Sequence, residues 1–154
     1  MLNVSIELTG TGWLKTDIRD NGNKIEITAS YLSDAPKDLI TAVNNLLKGS
    51  KMESIFWLEE PGQYSWLFEK KDENVIIKIY DFNGWPYDNW LKVIDKGNLV
   101  LSSQTSLIDF ANNIYVQYAK LASEFGTKDY KKKWVNYEFP LEEKIELQKL
   151  LKKD

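Results

Sequence analysis

Leu2, Val4, Ile6 and Leu8 alternate with Asn3, Ser5, Glu7 and Thr9, the period-two pattern of a strand with one face buried and the other in water. Gly10-Thr11-Gly12 ends it. Trp13–Asp20 and Lys24–Tyr31 then flank Asn21-Gly22. Asn-Gly favours the positive φ angles of a type I′ turn, so the two segments read as a hairpin with Ile25, Ile27, Ala29 and Tyr31 on its inner face. Behind Ser33-Asp34, a candidate N-cap, and Pro36, acceptable in a first turn, the period lengthens. Leu39, Ile40, Val43 and Leu47 recur at helical spacing before Gly49, which predicts a helix from Asp34 to Lys48.

The middle third reads as a meander. Ser54–Glu60 and Tyr64–Lys70 are joined through Glu60-Pro61-Gly62-Gln63, a turn in which Pro presets φ and Gly accepts the next position, and Asn74–Phe82 follows. Ile55, Phe56, Trp57 and Leu58 are apolar on both strand faces, as in a central strand covered on both sides. Asn83–Asn89 is a loop, and Trp90–Ile94 with Asn98–Ser103 reads as a further hairpin around Asp95-Lys96-Gly97. From Thr105 a helical stripe of Leu107, Phe110, Ala111, Ile114, Tyr118, Leu121, Ala122 and Phe125 runs to Gly126. A last helix starts at Pro140, with Glu142 and Glu143 in its first turn and Lys152 and Lys153 in its last, both favourable to the helix dipole. Leu141, Ile145, Leu147, Leu150 and Leu151 are its docking residues. No repeat or linker divides the chain. The expectation is a single α+β domain over residues 1–154, an antiparallel sheet of six or seven strands with three helices packed against it. Ile25, Ile27, Trp57, Trp66, Phe110, Ile114 and Leu121 are its expected core.

Composition narrows the chemistry. The 154 residues, 43% of them apolar, suit one domain with a sizeable core. There is no histidine and no cysteine, so mechanisms that run through an imidazole or a thiol are excluded, and so are disulfides. Sites built from nitrogen or sulfur ligands are excluded with them, which leaves only hard cations held by oxygens. No cofactor is expected. Twenty basic against 23 acidic residues give a net charge of −3, a balance that argues against nucleic acid as partner. Tyr130-Lys131-Lys132-Lys133-Trp134 therefore reads as a solvated helix end and not as a base-stacking patch. The N-terminus lacks a charged segment followed by an apolar run, and no stretch approaches the ~20 apolar residues of a membrane helix. A cytoplasmic protein with no membrane association is expected.

Candidate chemistry then rests on carboxylates, amides and aromatic rings. Glu59 and Glu60 are adjacent on a strand and point to opposite faces, so they do not converge on one atom; Glu59 could meet Asp81 or Glu69 across the sheet. The segment Asp81–Trp90 mixes oxygen-bearing groups (Asp81, Asn83, Asp88) with large amphipathic rings (Trp85, Tyr87, Trp90), a composition suited to a sugar, a peptide or a protein surface. Its spacing is not that of a calcium loop, and no glycine pattern fits a phosphate cradle. The expected binding residues are thus Glu59, Glu60, Asp81, Asn83, Trp85, Tyr87, Asp88 and Trp90. No catalytic or metal-ligating residue is assigned.

Ser30–Ala35 with Asp38-Leu39, Trp57-Leu58-Glu59-Glu60-Pro61-Gly62-Gln63-Tyr64-Ser65-Trp66, and Tyr130–Trp134 with Phe139-Pro140-Leu141 together resemble a family of small bacterial proteins without an established activity. The resemblance spans most of the chain and carries over no catalytic residue. In size and single-domain character the chain is also similar to bacterial immunity proteins, which neutralise a toxin by binding it. Two readings follow. The first is a non-catalytic protein-binding domain of immunity or adaptor type, whose acidic, aromatic surface suits a basic protein partner. The second is a carboxylate-based hydrolase acting on a sugar or phosphoester, with Glu59 or Asp81 as its acid. The first is the expectation; the oligomeric state is not legible.

Overall fold

The computed structural model describes residues 2–135 and 137–153. The N-terminal alternation forms β1 (Asn3–Leu8), and the Asn-Gly hairpin forms β2 (Trp13–Asp20) and β3 (Asn23–Ser30). Asn21 at φ 50° and Gly22 at φ 86° supply the expected turn. Then come α1 (Ala35–Leu47), β4 (Met52–Leu58), β5 (Gln63–Lys71), β6 (Asn74–Phe82), a 3₁₀ helix (Tyr87–Lys96), β7 (Asn98–Ser106), α2 (Leu107–Lys133) and α3 (Leu141–Leu151). All pairings are antiparallel, so the class is α+β as the pattern implies.

The strands divide into two sheets, β1-β2-β3 and β4-β5-β6-β7, where the sequence suggested one. Side chains explain the break. The Ser30 hydroxyl donates to the Leu58 carbonyl (3.1 Å), and the Leu58 amide donates to the Ser33 hydroxyl (3.2 Å), so where β3 reaches β4, at Leu58, serine hydroxyls take the place of a backbone ladder. β4 is consequently an edge strand of its sheet and not the central one, although both its faces are covered. Ile55 and Trp57 face the main core, while Phe56 packs with Leu67, Phe82 and Trp90 on the other side.

Trp90 also explains why the expected hairpin at Trp90–Ser103 is absent. Its ring, 1% exposed, lies 6.0 Å from Tyr80 and 6.3 Å from Phe82. Burying it draws the segment into a 3₁₀ helix over the outer face of the second sheet, a helical element beyond the three expected, and β7 pairs with β6 instead.

The main core is threaded by rings. Trp57 and Trp66 lie 4.8 Å apart, Trp66 and Phe68 5.8 Å, and Phe68 reaches Phe110 of α2 at 6.2 Å, so the second sheet is tied to the long helix through edge and offset contacts. Of the expected core, Ile27, Trp57, Trp66, Phe110, Ile114 and Leu121 are buried and Ile25 is half-buried. Tyr31 differs: it is 39% exposed and lies across the face of Gly12, where an added Cβ would stand 2.7 Å from its ring. Leu141 and Ile145 are also exposed, and Leu147 alone of the expected α3 docking residues is fully buried.

Helix α2 breaks where expected, at Gly126, whose φ of 62° and ψ of −177° interrupt the helix. It then resumes to Lys133, because Tyr130 and Trp134 beyond the break are both fully buried, with Tyr130 edge-on to Phe139 at 5.2 Å. α2 also closes the first sheet. The Val4 amide donates to Asn113 Oδ1 (2.6 Å), Asn113 Nδ2 donates to the Val4 carbonyl (3.0 Å), and the Ile6 amide donates to Gln117 Oε1 (3.0 Å). Two side chains one helical turn apart thereby imitate a neighbouring strand.

Two stability outcomes follow. Phe110→Ala removes the helix end of the aromatic chain and is expected to cost about 3–5 kcal/mol in denaturant unfolding; an unchanged midpoint would contradict the packing described. Asn113→Leu keeps the volume but leaves both polar groups of Val4 without their partner, an expected loss of about 1–3 kcal/mol with faster amide exchange confined to β1.

Candidate functional site

β3 runs across the ends of the second sheet. Beyond the Ser30–Leu58 bond, the Thr28 hydroxyl donates to the Glu59 carboxylate. Glu26 bears on Tyr64, and Lys24 and Ile25 share a cleft with Val100, Leu101 and Ser102 of β7. Register sets Tyr64 opposite Asp81. Glu26, Glu59 and Asp81 therefore form an acidic strip along the crossing, with the Tyr64 phenol among them. Burial pushes the Glu59 carboxyl up, the Thr28 hydroxyl draws it down, and the Asp81 charge raises it further. Tyr64 is raised by burial, then by Glu59, Asp81 and Glu26. Glu69 is not part of this group; it stands 3.8 Å from Lys78.

Next to the strip, the backbone positions two rings. Gln63 opens β5 fully buried, and its side chain grips Tyr87 at both backbone groups: the Tyr87 amide donates to Oε1 (2.8 Å), and Nε2 donates to the Tyr87 carbonyl (3.0 Å). The same Nε2 donates to Ser65 Oγ at 2.9 Å. So held, Tyr87 keeps φ at 57°, a left-handed conformation costly for a bulky residue, while its side chain stays 49% exposed. Trp85 is 40% exposed; its indole donates to the Glu59 carbonyl (3.2 Å), and the two rings lie 6.2 Å apart at 45°.

The Glu59–Gly62 turn closes through the Glu59 amide and Gly62 carbonyl (2.9 Å), with Glu60-Pro61 in the cis form. Glu60, Asn83 and Asp88 are exposed around these rings, and Glu59 and Asp81 are half-buried. Trp90 does not join them, being the buried anchor beneath the loop. Gln63 has no signal in the sequence, because an amide beginning an apolar strand looks like any strand boundary.

A second polar group lies where the sequence suggested only a helix cap. Asp34 precedes α1 without a side-chain capping bond. Burial pushes its carboxyl up against the pull of the Lys37 amide and the Trp134 indole. Asp38, one turn on, is pushed up to about 6, first by burial and then by the Asp34 charge. The Tyr118 hydroxyl donates to the Pro36 carbonyl beside them. An open cleft of about 530 Å³ lies over Asp34, between Lys37 and the Tyr137–Glu143 segment. Among the described residues no three carboxylates converge as a metal-holding group, and no helix is long and apolar enough to cross a membrane.

No family model and no curated protein matches the chain. It is similar to a solved structure, the CdiA-CT/CdiI toxin and immunity complex from Enterobacter cloacae, at 14% identity over 80% of this chain and 99% of the matched one, with a TM-score of 0.48. At that TM-score the likeness is too loose to bear on fold or function.

Asp38 gives a pH signature. Its folded-state pKa lies above the ordinary value of 3.8, so the folded protein disfavours the ionised form. The penalty is complete above about pH 6 and is relieved as pH falls toward about 4. Asp38→Asn is expected to stabilise the protein by about 1–2 kcal/mol near pH ~7, two units of pKa discounted for partial exposure, and to flatten the rise in stability on acidification. Urea unfolding of both proteins across this range checks it; a destabilised variant at neutral pH contradicts it.

Proposed function

We propose that this chain is a non-catalytic binding protein of immunity or adaptor type, which recognises a basic protein through Trp85, Tyr87 and the carboxylates of Glu59, Glu60 and Asp81. The observation that carries this reading is the Gln63 clamp. A buried amide bonds both backbone groups of Tyr87 and so fixes a left-handed backbone whose ring remains in solvent. Nothing in the core requires that ring to be placed; a partner does. Rigid, amphipathic rings lose little entropy on binding and dominate the energetics of many interfaces. Among the described residues, Lys15 pairs only with Glu26 within the adjoining strip, and neither Glu59 nor Asp81 forms an ion pair. Lysines or arginines of a partner would be steered there, and the effect would weaken as salt rises. Asn83 and Asp88 supply hydrogen-bonding groups at the rim. The hydrolase reading is less favoured, since the Glu59 carboxylate is already engaged by Thr28.

The test uses the protein domain encoded directly upstream of this gene, the arrangement in which a toxin precedes its immunity protein. Calorimetry should show tight binding to the wild-type chain. Trp85→Ala or Tyr87→Gly should weaken it by about 30-fold or more, as for hot-spot residues worth 2 kcal/mol, and glycine at position 87 relieves the backbone strain so that stability is kept. Binding unchanged by either substitution in folded protein, or an upstream product that does not bind, overturns the reading.

A further inference from the structure

The two-sheet arrangement leaves outer strand edges, and other parts of the fold meet some of them. Asn113 and Gln117 pair with β1, and Ser30 and Ser33 occupy β4 at Leu58. β3 carries Lys24 and Glu26, and β4 carries Glu53. β7 has neither kind of protection. It pairs with β6 along one side, and among the described residues nothing else in the fold hydrogen-bonds to the backbone of Asn98–Thr105.

An open edge is normally protected by a lysine, a proline, shortness or a pronounced irregularity. β7 has nine residues, Asn98 to Ser106, with neither charge nor proline. Its one irregularity, at Val100, sits near the start of the strand and leaves Leu101–Ser106 in unbroken register with Asn74–Ile79. Leu99 is 49% exposed at the same edge strand. Beside Val100, Leu101 and Ser102 an open cleft of about 360 Å³ separates the strand from the tip of the β2–β3 hairpin.

Charge decides what the edge accepts. The chain carries −3 overall, yet Gly97–Ile108 is its longest stretch without a charged residue. A strip of this kind gives a charge-selected partner nothing to recognise. It is, however, the place where two acidic copies of one chain can approach without setting like charges against each other. We propose that β7 pairs with β7 of a second copy of this chain, antiparallel about a two-fold axis, joining the two four-stranded sheets into one. The contact is isologous and closed, so it stops at a dimer. It is independent of the ring-and-carboxylate surface, and its success or failure leaves the partner reading untouched.

Ser102 and Gln104 are exposed and flank the middle of the regular stretch, so substitutions there alter the edge and not the core. Sedimentation of the full chain should show a monomer–dimer equilibrium. S102K/Q104K and S102E/Q104E, each with a wild-type circular dichroism spectrum, should each raise the dimer dissociation constant by about tenfold or more. An equimolar mixture of the two should restore the dimer, since opposite charges then face across the axis. Amide exchange in the unsubstituted protein supplies a second readout, with protection of Leu101–Thr105 rising with concentration. A wild-type chain that stays monomeric at every concentration overturns the proposal. So does a dimer insensitive to both double substitutions, or a mixture that fails to restore it.

Discussion

A chain that breaks seven strands into two sheets has four outer strand edges to satisfy where one sheet would have two. Each edge presents backbone donors and acceptors that are costly to bury unpaired, and most of the architecture can be understood as the means of closing them. α2 lies along β1 because Asn113 and Gln117 must reach Val4 and Ile6. β3 crosses the second sheet because Ser30 and Ser33 meet Leu58 from that side. The aromatic chain from Trp57 to Phe110 then holds helix and sheet in the relation that these bonds require.

The candidate site is a by-product of the same crossing. Outward residues of β3 arrive at the ends of β4, β5 and β6, so Glu26, Glu59 and Asp81 meet there; Lys15 pairs with Glu26 at 3.1 Å, and Thr28 rather than a cation satisfies Glu59. Burying Trp90 under the second sheet takes up the chain after β6 and brings Tyr87 within reach of Gln63. A loop of this composition would ordinarily move; here its middle is fixed from below by Trp90 and from the side by a buried amide.

Much of this was legible in the chain, and the limits have physical causes. Period-two alternation located β1 to β3, and the helical stripes located α1 and α2, because each signal is local and repeated. The division into two sheets was not legible, since it depends on where serine hydroxyls fall relative to a strand thirty residues away. Nor was the 3₁₀ helix: Trp90–Ile94 is apolar enough for a strand, and only its depth against Tyr80 and Phe82 decides otherwise. Composition singled out Trp85, Tyr87 and Trp90 together, and only the first two rings are exposed, because three rings in one loop look alike until one of them is buried. Gln63 carries no pattern at all.

The energetic cost of the acidic strip has the opposite character to that of the surface ion pairs. Exposed pairs such as Lys48–Glu146 at 2.8 Å are already neutralised, and such contacts contribute little to stability or to attraction. Glu59 and Asp81 remain half-buried without a cation, and Glu59 is pushed up first by burial and only in smaller part by the Asp81 charge. A cationic group delivered by a partner would remove part of that cost as well as add its own attraction. On the proposed reading, the free-energy gain on binding at this strip would include relief of part of the cost of burying these carboxylates in the free protein. A surface whose charges were paired in advance would lack that contribution, which is why, on the proposed reading, Glu59 and Asp81 and not the paired surface carboxylates are where charge would act on a partner.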